Sequence, residues 1–348
     1  MNTTSKFELY LPGFANRANH EQPLICADIH EEETVLAYFE VQDEKLVSIF
    51  SQEYPTKQYE CFCDIVNEFK TEHNLSVQKL AIAVPGPVIN RQATSARLSW
   101  VLAADDISAK TDIPNVYLIN DLEATAYGLS DLPEDLLIPF RKSDVPVKGN
   151  VAILSPGEGL GEAGLFYDGE FLRPFATEGG HSEFSPRTNV EVEFYQFLNK
   201  IYGIVSWENV LSNNGLFNIF RFLRDEKRHP ISEKLAQRLR SGDKFPEVLY
   251  AAAVEDNEMI ATITINTFLE FLAREANSLV LKLKATGGLI LSGELAILFE
   301  QYIDKARFYQ KFLISDKMEK LLNNTPIYML CCRDAVMQGA AIYGAFSK

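Results

Sequence analysis

Cysteine is scarce in this chain, and the five present, Cys26, Cys61, Cys63, Cys331 and Cys332, form no CxxC pair. An odd count without paired spacing argues against a disulfide framework and points to a reducing compartment. Cys61 and Cys63 read as packing neighbours on a helix, not as metal ligands. Positive charge is also short: 33 Lys and Arg stand against 48 Asp and Glu, a formal net charge of −15. Nucleic acid and anionic membrane are thereby excluded as partners, because both would be repelled. No apolar run approaches the roughly 20 residues of a membrane span, and the polar N-terminus has no signal-peptide core. The expected location is the cytoplasm. Histidine is rare, five in 348 residues, so one placed beside a carboxylate carries information.

What is present is an ordinary globular composition, 47% hydrophobic and 23% charged, at a length that predicts about two domains. Residues 1–22 show little periodicity and read as an N-terminal arm. The run from Pro23 to Asp28 is a buried strand ending in a carboxylate, and Val35–Phe39 with Leu46–Phe50 follow at hairpin spacing. Cys61–His73 has helical periodicity, Leu80–Val84 is a strand stopped by Pro85-Gly86-Pro87, and Asn115–Asn120 is a strand leading into a helix over Leu122–Leu129. Three antiparallel strands, a helix, then strand–helix–strand is the order of one actin-like (ribonuclease H-like) half.

Residues 133–148 read as a connection, after which the same elements recur. Val151–Leu154, Ala163–Tyr167 and Phe171–Phe175 are strands; helices are expected over Glu191–Ile201, Ser206–Arg224 and Pro246–Ala285. Leu289–Leu291 and Ile327–Leu330 are late strands, and Ala335–Phe346 is a closing helix. The predicted class is therefore α/β, with a two-lobed actin-like ATPase architecture. A small lobe over 23–132, completed by 335–348, accompanies a large lobe over 133–334. Ligands of such sheets sit at the strand ends.

Two polar clusters carry chemistry. Asp121, at a strand end opening onto a helix, suits a general base for an attacking alcohol, although Asn120-Asp121 also reads as a helix N-cap. In Glu178-Gly179-Gly180-His181, two glycines allow a tight turn from which the acid and the imidazole can hold sugar hydroxyls; a solvated loop is the alternative.

Together with Gly157-Glu158-Gly159-Leu160-Gly161, these segments resemble the bacterial glucokinase family over about Leu24 to Gly344. Leu118-Ile119-Asn120-Asp121-Leu122-Glu123-Ala124 is similar to its catalytic segment, Glu178 to Arg187 to its sugar loop, and Ser206-Trp207-Glu208-Asn209-Val210-Leu211-Ser212 to a helix start bearing a further sugar-binding glutamate. The resemblance implies ATP- and Mg²⁺-dependent phosphorylation of the glucose 6-hydroxyl, with Asp121 as base and Asn120, Glu178, His181 and Glu208 gripping the hexose. The resemblance allows a homodimer; separately, nothing in the spacing of the acidic residues matches a known metal site. Arg97 stands where the family usually has Asn, a change that could alter sugar preference.

The nucleotide side departs from the family pattern. Asp-x-Gly-Gly-Thr becomes Asp28-Ile29-His30-Glu31-Glu32, Gly-Thr-Gly becomes Gly157-Glu158-Gly159, and a late Gly-Gly-Gly becomes Ser292-Gly293-Glu294. Glycine permits φ > 0 and close approach of N–H groups to phosphate, and a hydroxyl donor is lost wherever glutamate replaces threonine. Like charges roughly 4 Å apart repel by ~1 kcal/mol in water and ~4 kcal/mol at an effective dielectric of about 20. Two or three such glutamates would cost on the order of 10³-fold in affinity. The expectation is a hexose-binding protein whose ATP binding is weakened and whose phosphorylation is impaired or lost. The alternative is an active glucokinase that transfers the ATP γ-phosphate to the glucose 6-hydroxyl with Asp121 as base. Glutamates that swing outward would be compatible with folding and would still remove the phosphate cradle.

Overall fold

A computed structural model of the chain describes residues 7–11, 22–42, 45–95, 98–143, 145, 147–332 and 334–347. Arg97 lies outside them. They divide into two compact units, Met1–Leu136 with Leu165–Thr177 and Cys332–Lys348, and Leu137–Gly164 with Glu178–Cys331.

The first unit is built from β1 (Leu24–Ile29), β2 (Glu33–Gln42), β3 (Lys45–Pro55), α1 (Phe62–Glu72), β4 (Lys79–Val84), β5 (Val88–Ile89), β6 (Gln92–Thr94), β7 (Val101–Ala103), α2 (Ala104–Thr111), β8 (Asn115–Asn120) and α3 (Asp121–Gly128). Its main sheet has the order β3-β2-β1-β4-β8. β1 pairs antiparallel with β2 and parallel with β4, which in turn runs parallel to β8. β1 is apolar on both faces because both are covered. Ile25, Ala27 and Ile29 pack with Phe62, Ile65 and Phe69 of α1, while Leu24 and Cys26 pack with Ala340, Ala341 and Ala345 of the last helix, Ala335–Phe346. Lys79 is buried in β4, and its ammonium donates to Gly344 O at 3.2 Å and Ala345 O at 2.8 Å, capping that helix's C-terminal end. The sequence reading missed β5–β7 and α2. β5 and β6 are joined through Asn90 and Arg91, both left-handed with φ of 50° and 62°, without the glycine that usually marks such a hairpin.

Of the residues read as an arm, 7–11 are seated. Leu9 bridges Leu172 in parallel, Tyr10 N donates to Leu172 O at 2.9 Å, and the Arg173 guanidinium lies 3.9 Å from the Tyr10 ring centroid.

The remaining elements are β9 (Leu137–Arg141), β10 (Val151–Pro156), β11 (Leu160–Tyr167), β12 (Leu172–Thr177), α4 (Asn189–Tyr202), α5 (Asn213–Arg221), α6 (Glu233–Arg238), α7 (Phe245–Val254), α8 (Met259–Leu283), β13 (Gly288–Leu291), α9 (Glu294–Leu298), α10 (Lys305–Phe312), α11 (Glu319–Asn324) and β14 (Ile327–Leu330). The second sheet runs β12-β11-β10-β13-β14-β9, and its first five strands repeat the order β3-β2-β1-β4-β8 of the other. The expected recurrence of one α/β pattern is thus present. The end of β11 and all of β12 belong to the first compact unit.

Three expectations need correction here. The segment 133–148 is not only a connection, because β9 pairs antiparallel with β14. The helix expected from Ser206 starts at Asn213: Asn209 Oδ1 accepts from Ser206 N at 2.9 Å, holding the chain in a turn, and Ser212 caps α5 instead. The helix expected over Pro246–Ala285 is two helices, α7 and α8, parted at 255–258 where Asn257 is left-handed. α8 is the axis of this unit's core, with Phe268, Leu272, Ala276 and Val280 fully buried.

Candidate active site

In the first unit, Asp28 is the penultimate residue of β1, only 9% exposed, and its Oδ2 lies 3.1 Å from His30 Nε2. The other carboxylate oxygen is buried without a hydrogen-bond partner among the described residues. The turn closes when His30 N donates to Glu33 O at 2.9 Å, and no residue from Ile29 to Glu33 has positive φ. The glycine conformation expected to matter is therefore not required for this turn to form. Thr56 fastens the turn from behind, donating from N to Glu32 O at 3.0 Å and from Oγ1 to His30 O at 2.9 Å.

The charge of the turn is offset locally. Lys57 Nζ donates to Glu31 Oε1 at 3.0 Å and to Glu32 Oε1 at 2.6 Å. Hydrogen bonds donated to Glu32 and then to Glu31 hold the Lys57 ammonium above its usual range. The Lys57 ammonium thus stands against the two carboxylates of the turn, and strand register brings it there. In the β2–β3 register Glu33 pairs with Pro55 and Thr34 with Tyr54, so continuing the ladder sets 31 against 57.

At the end of β8, Asn120 is the N-cap of α3. Its Oδ1 accepts from Leu122 N at 3.0 Å and Glu123 N at 3.2 Å, and its Nδ2 donates to Gly86 O at 3.1 Å. Both readings of Asn120-Asp121 bear on the same turn, because the capping amide fixes where the next residue points. Asp121 is half-buried, and its Oδ1 accepts from Leu122 N at 2.8 Å.

In the second unit the structure brings Glu178, His181 and Glu208 onto one platform. Residues Gly179–His181 form a single 3₁₀ turn, closed by His181 N donating to Glu178 O at 3.1 Å, and the two side chains are 3.9 Å apart and half exposed. Glu208 N donates to Gly180 O at 2.9 Å, and Glu208 Oε2 accepts from Leu160 N at 3.1 Å. Gly180 must be glycine, since a Cβ there would lie 2.1 Å from Leu160 O. Phe184 N to Val205 O and Trp207 N to Ser182 O, both 2.9 Å, continue the seam.

The glycine turns of this unit also meet. Gly157 N donates to Gly159 O and Gly157 O accepts from Asn213 N, both at 2.8 Å, placing the Gly157-Glu158-Gly159 turn at the start of α5. Gly293 has φ of 87°, and a Cβ there would come 2.6 Å from Pro156 O, so this glycine is fixed by the approach of β10. Glu294 opens α9 and is exposed; Glu158 is half-buried. Ser292 Oγ and Asn213 Oδ1 are buried without hydrogen-bond partners among the described residues. Polar atoms left this way, one after β13 and one at the start of α5, are suited to a polar ligand. Sequence reasoning missed Lys57 and the Leu160 N–H that donates to Glu208, because both act through tertiary contacts no local motif records.

The glucokinase family profile matches residues 25–346. Glucokinase of Nostoc punctiforme is 30% identical over 336 residues, covering 92% of this chain and 98% of that protein. Glucokinase of Trichormus variabilis is 28% identical over 92% of this chain and 98% of its own. Among solved structures, a glucokinase from an Antarctic psychrotroph superposes with a TM-score of 0.76 at 20% identity, covering 94% of this chain and 99% of that one. Glucokinase of Balamuthia mandrillaris in complex with glucose gives 0.74 at 18% identity, covering 93% of each chain. These two establish a shared fold, and the profile match over nearly the whole sequence establishes descent: the chain belongs to the glucokinase family.

Proposed function

We propose that this protein transfers the γ-phosphoryl group of ATP to the 6-hydroxyl of glucose or a closely related hexose. Its relatives' names point to that activity. The observation that carries the reading for this chain is the Lys57 bridge across Glu31 and Glu32. It offsets the negative charge that the sequence sets beside the nucleotide, and so favours an active kinase over a sugar-binding relative without phosphotransfer.

In this reading Asp121 accepts the hydroxyl proton as that oxygen attacks, while Asn120 holds the turn that aims it. Glu178, His181 and Glu208 pair with other hydroxyls, Glu208 being oriented by the Leu160 N–H. The residues present fit a nucleotide and its cation: the partnerless buried oxygen of Asp28 suits a hydrated Mg²⁺, and Ser292 and Asn213 offer polar atoms beside the glycine turns. Bound Mg–ATP supplies a phosphoryl group whose charge is partly neutralised.

Paired calorimetric titrations with glucose and with ATP–Mg²⁺, followed by a coupled assay of ADP release, test the proposal. Binding of both ligands with glucose-dependent ADP release is the expected result. Glucose binding without nucleotide binding would replace it with a hexose-binding role, and absence of glucose binding would sink both.

A further inference from the structure

Arg274 lies near the middle of α8 and is only 6% exposed, an unusual place for a guanidinium. Its Nη2 donates to Ser185 O and its Nη1 to Glu191 Oε2, both at 2.6 Å. The same Glu191 oxygen accepts from Arg187 N at 2.6 Å, so one carboxylate ties the guanidinium to a second point in the same loop. The guanidinium carbon is also 5.5–5.7 Å from the ring centroids of Phe184, Trp207 and Phe271. Phe184 and Trp207 belong to the two facing segments whose backbones pair, 182–184 with 205–207. Next to it in sequence, buried Glu275 accepts from Lys282 at 3.1 Å on the same helix.

We infer that Arg274 is a positioning residue for sugar recognition, clamping from behind the loop that presents Glu178 and His181 and, through Trp207, the segment that presents Glu208. The inference rests on the sugar-binding assignment proposed above. Three features call for arginine. Two donors must leave in a fixed fork, one to a carbonyl and one to a carboxylate. The flat guanidinium must fit among three aromatic rings. The charge must stay desolvated, which Glu191 compensates. A lysine could keep the charge and reach one acceptor, not both. The loop carries functional side chains on short turns with few apolar anchors of their own, so its precision depends on such a clamp.

Arg274→Lys and Arg274→Met test this with two readouts. By hydrogen exchange, the amides of Phe184, Trp207 and Glu208 in Arg274→Lys exchange about tenfold faster or more, while β10 and β13 are unchanged. In kinetics, the sugar KM rises roughly tenfold in Arg274→Met and about threefold in Arg274→Lys, with kcat and the ATP KM within about twofold. Should Arg274→Met fail to fold, Arg274→Lys decides. Unchanged loop exchange in Arg274→Lys overturns the inference, as does a rise in the ATP KM equal to that in the sugar KM. Faster loop exchange in a protein whose wild type binds no glucose would keep the clamp and remove the sugar-binding assignment.

Discussion

Lys57 Nζ lies 2.6 Å from Glu32 Oε1, and the contact is a consequence of strand register. The β2–β3 ladder runs to the edge of the first turn, so whatever follows Pro55 lands beside whatever precedes Glu33. Glu31 and Glu32 are 40% and 69% exposed, so the triad is a solvated one whose effect is felt mainly by an incoming anion.

Replacing Lys57 by Met therefore leaves two uncompensated carboxylates on the turn. We expect the ATP KM to rise roughly two- to fivefold, the scale of an exposed ion pair, with the glucose KM unchanged. The effect should shrink between low and high salt, because exposed charges are screened. Adding Glu31→Gln and Glu32→Gln to Lys57→Met should restore the nucleotide KM. Steady-state kinetics at two ionic strengths checks all three statements.

Asp121 is the residue on which the phosphotransfer reading is most exposed. Asp121→Asn keeps an oxygen for the Leu122 N–H and the shape of the α3 start, and removes only the proton acceptor. Loss of a general base lowers kcat by about 10²- to 10⁴-fold, while the glucose Kd stays within about threefold. A variant retaining wild-type kcat would show that another group takes the proton.

Much of the architecture is legible in residue patterns because the central strands are apolar on both faces and end at charged or glycine-rich turns. β1, β4, β8, β10 and the last helix fall within one or two residues of where the pattern places them. β9 is not legible: it is a five-residue edge strand in a proline-containing stretch, paired on one side only. The break between α7 and α8 is hidden for a different reason. Residues 255–258 contain no glycine or proline to mark a stop, and Asn257 takes the left-handed conformation that Asn tolerates better than most residues. At the site, motif residues are readable one by one, but Lys57 and Arg274 are 26 and 89 positions from what they hold.

Gly180 offers a test of the platform itself. A methyl group there would sit 2.1 Å from Leu160 O, inside the seam that Glu208 completes. Gly180→Ala should cost about 1–3 kcal/mol of stability through overpacking and weaken glucose binding more than nucleotide binding. Chemical denaturation and paired calorimetric titrations measure the two effects on the same sample.

The last prediction concerns pH. Glu162 on β11 is 2% exposed and Glu275 on α8 is fully buried. Burial, then the charge of Glu275, pushes the Glu162 carboxyl from 4.5 to about 8, with Lys282 opposing the shift. Burial raises Glu275 as well. A carboxyl whose pKa is higher folded than unfolded holds its proton in the native state while the unfolded chain loses it. Its contribution is therefore fully present below about pH 4.5 and falls as pH rises to about 8, beyond which nothing more is lost. Glu162→Gln keeps the hydrogen-bonding shape without the titration. We expect this variant to match the wild type near pH 5 and to melt higher at pH 8, by roughly 2–4 °C for each kcal/mol recovered. Melting curves of both proteins from pH 5 to 9 decide it: parallel curves would show that the native state does not hold the Glu162 carboxyl protonated, and a gap that opens with rising pH is the expected signature.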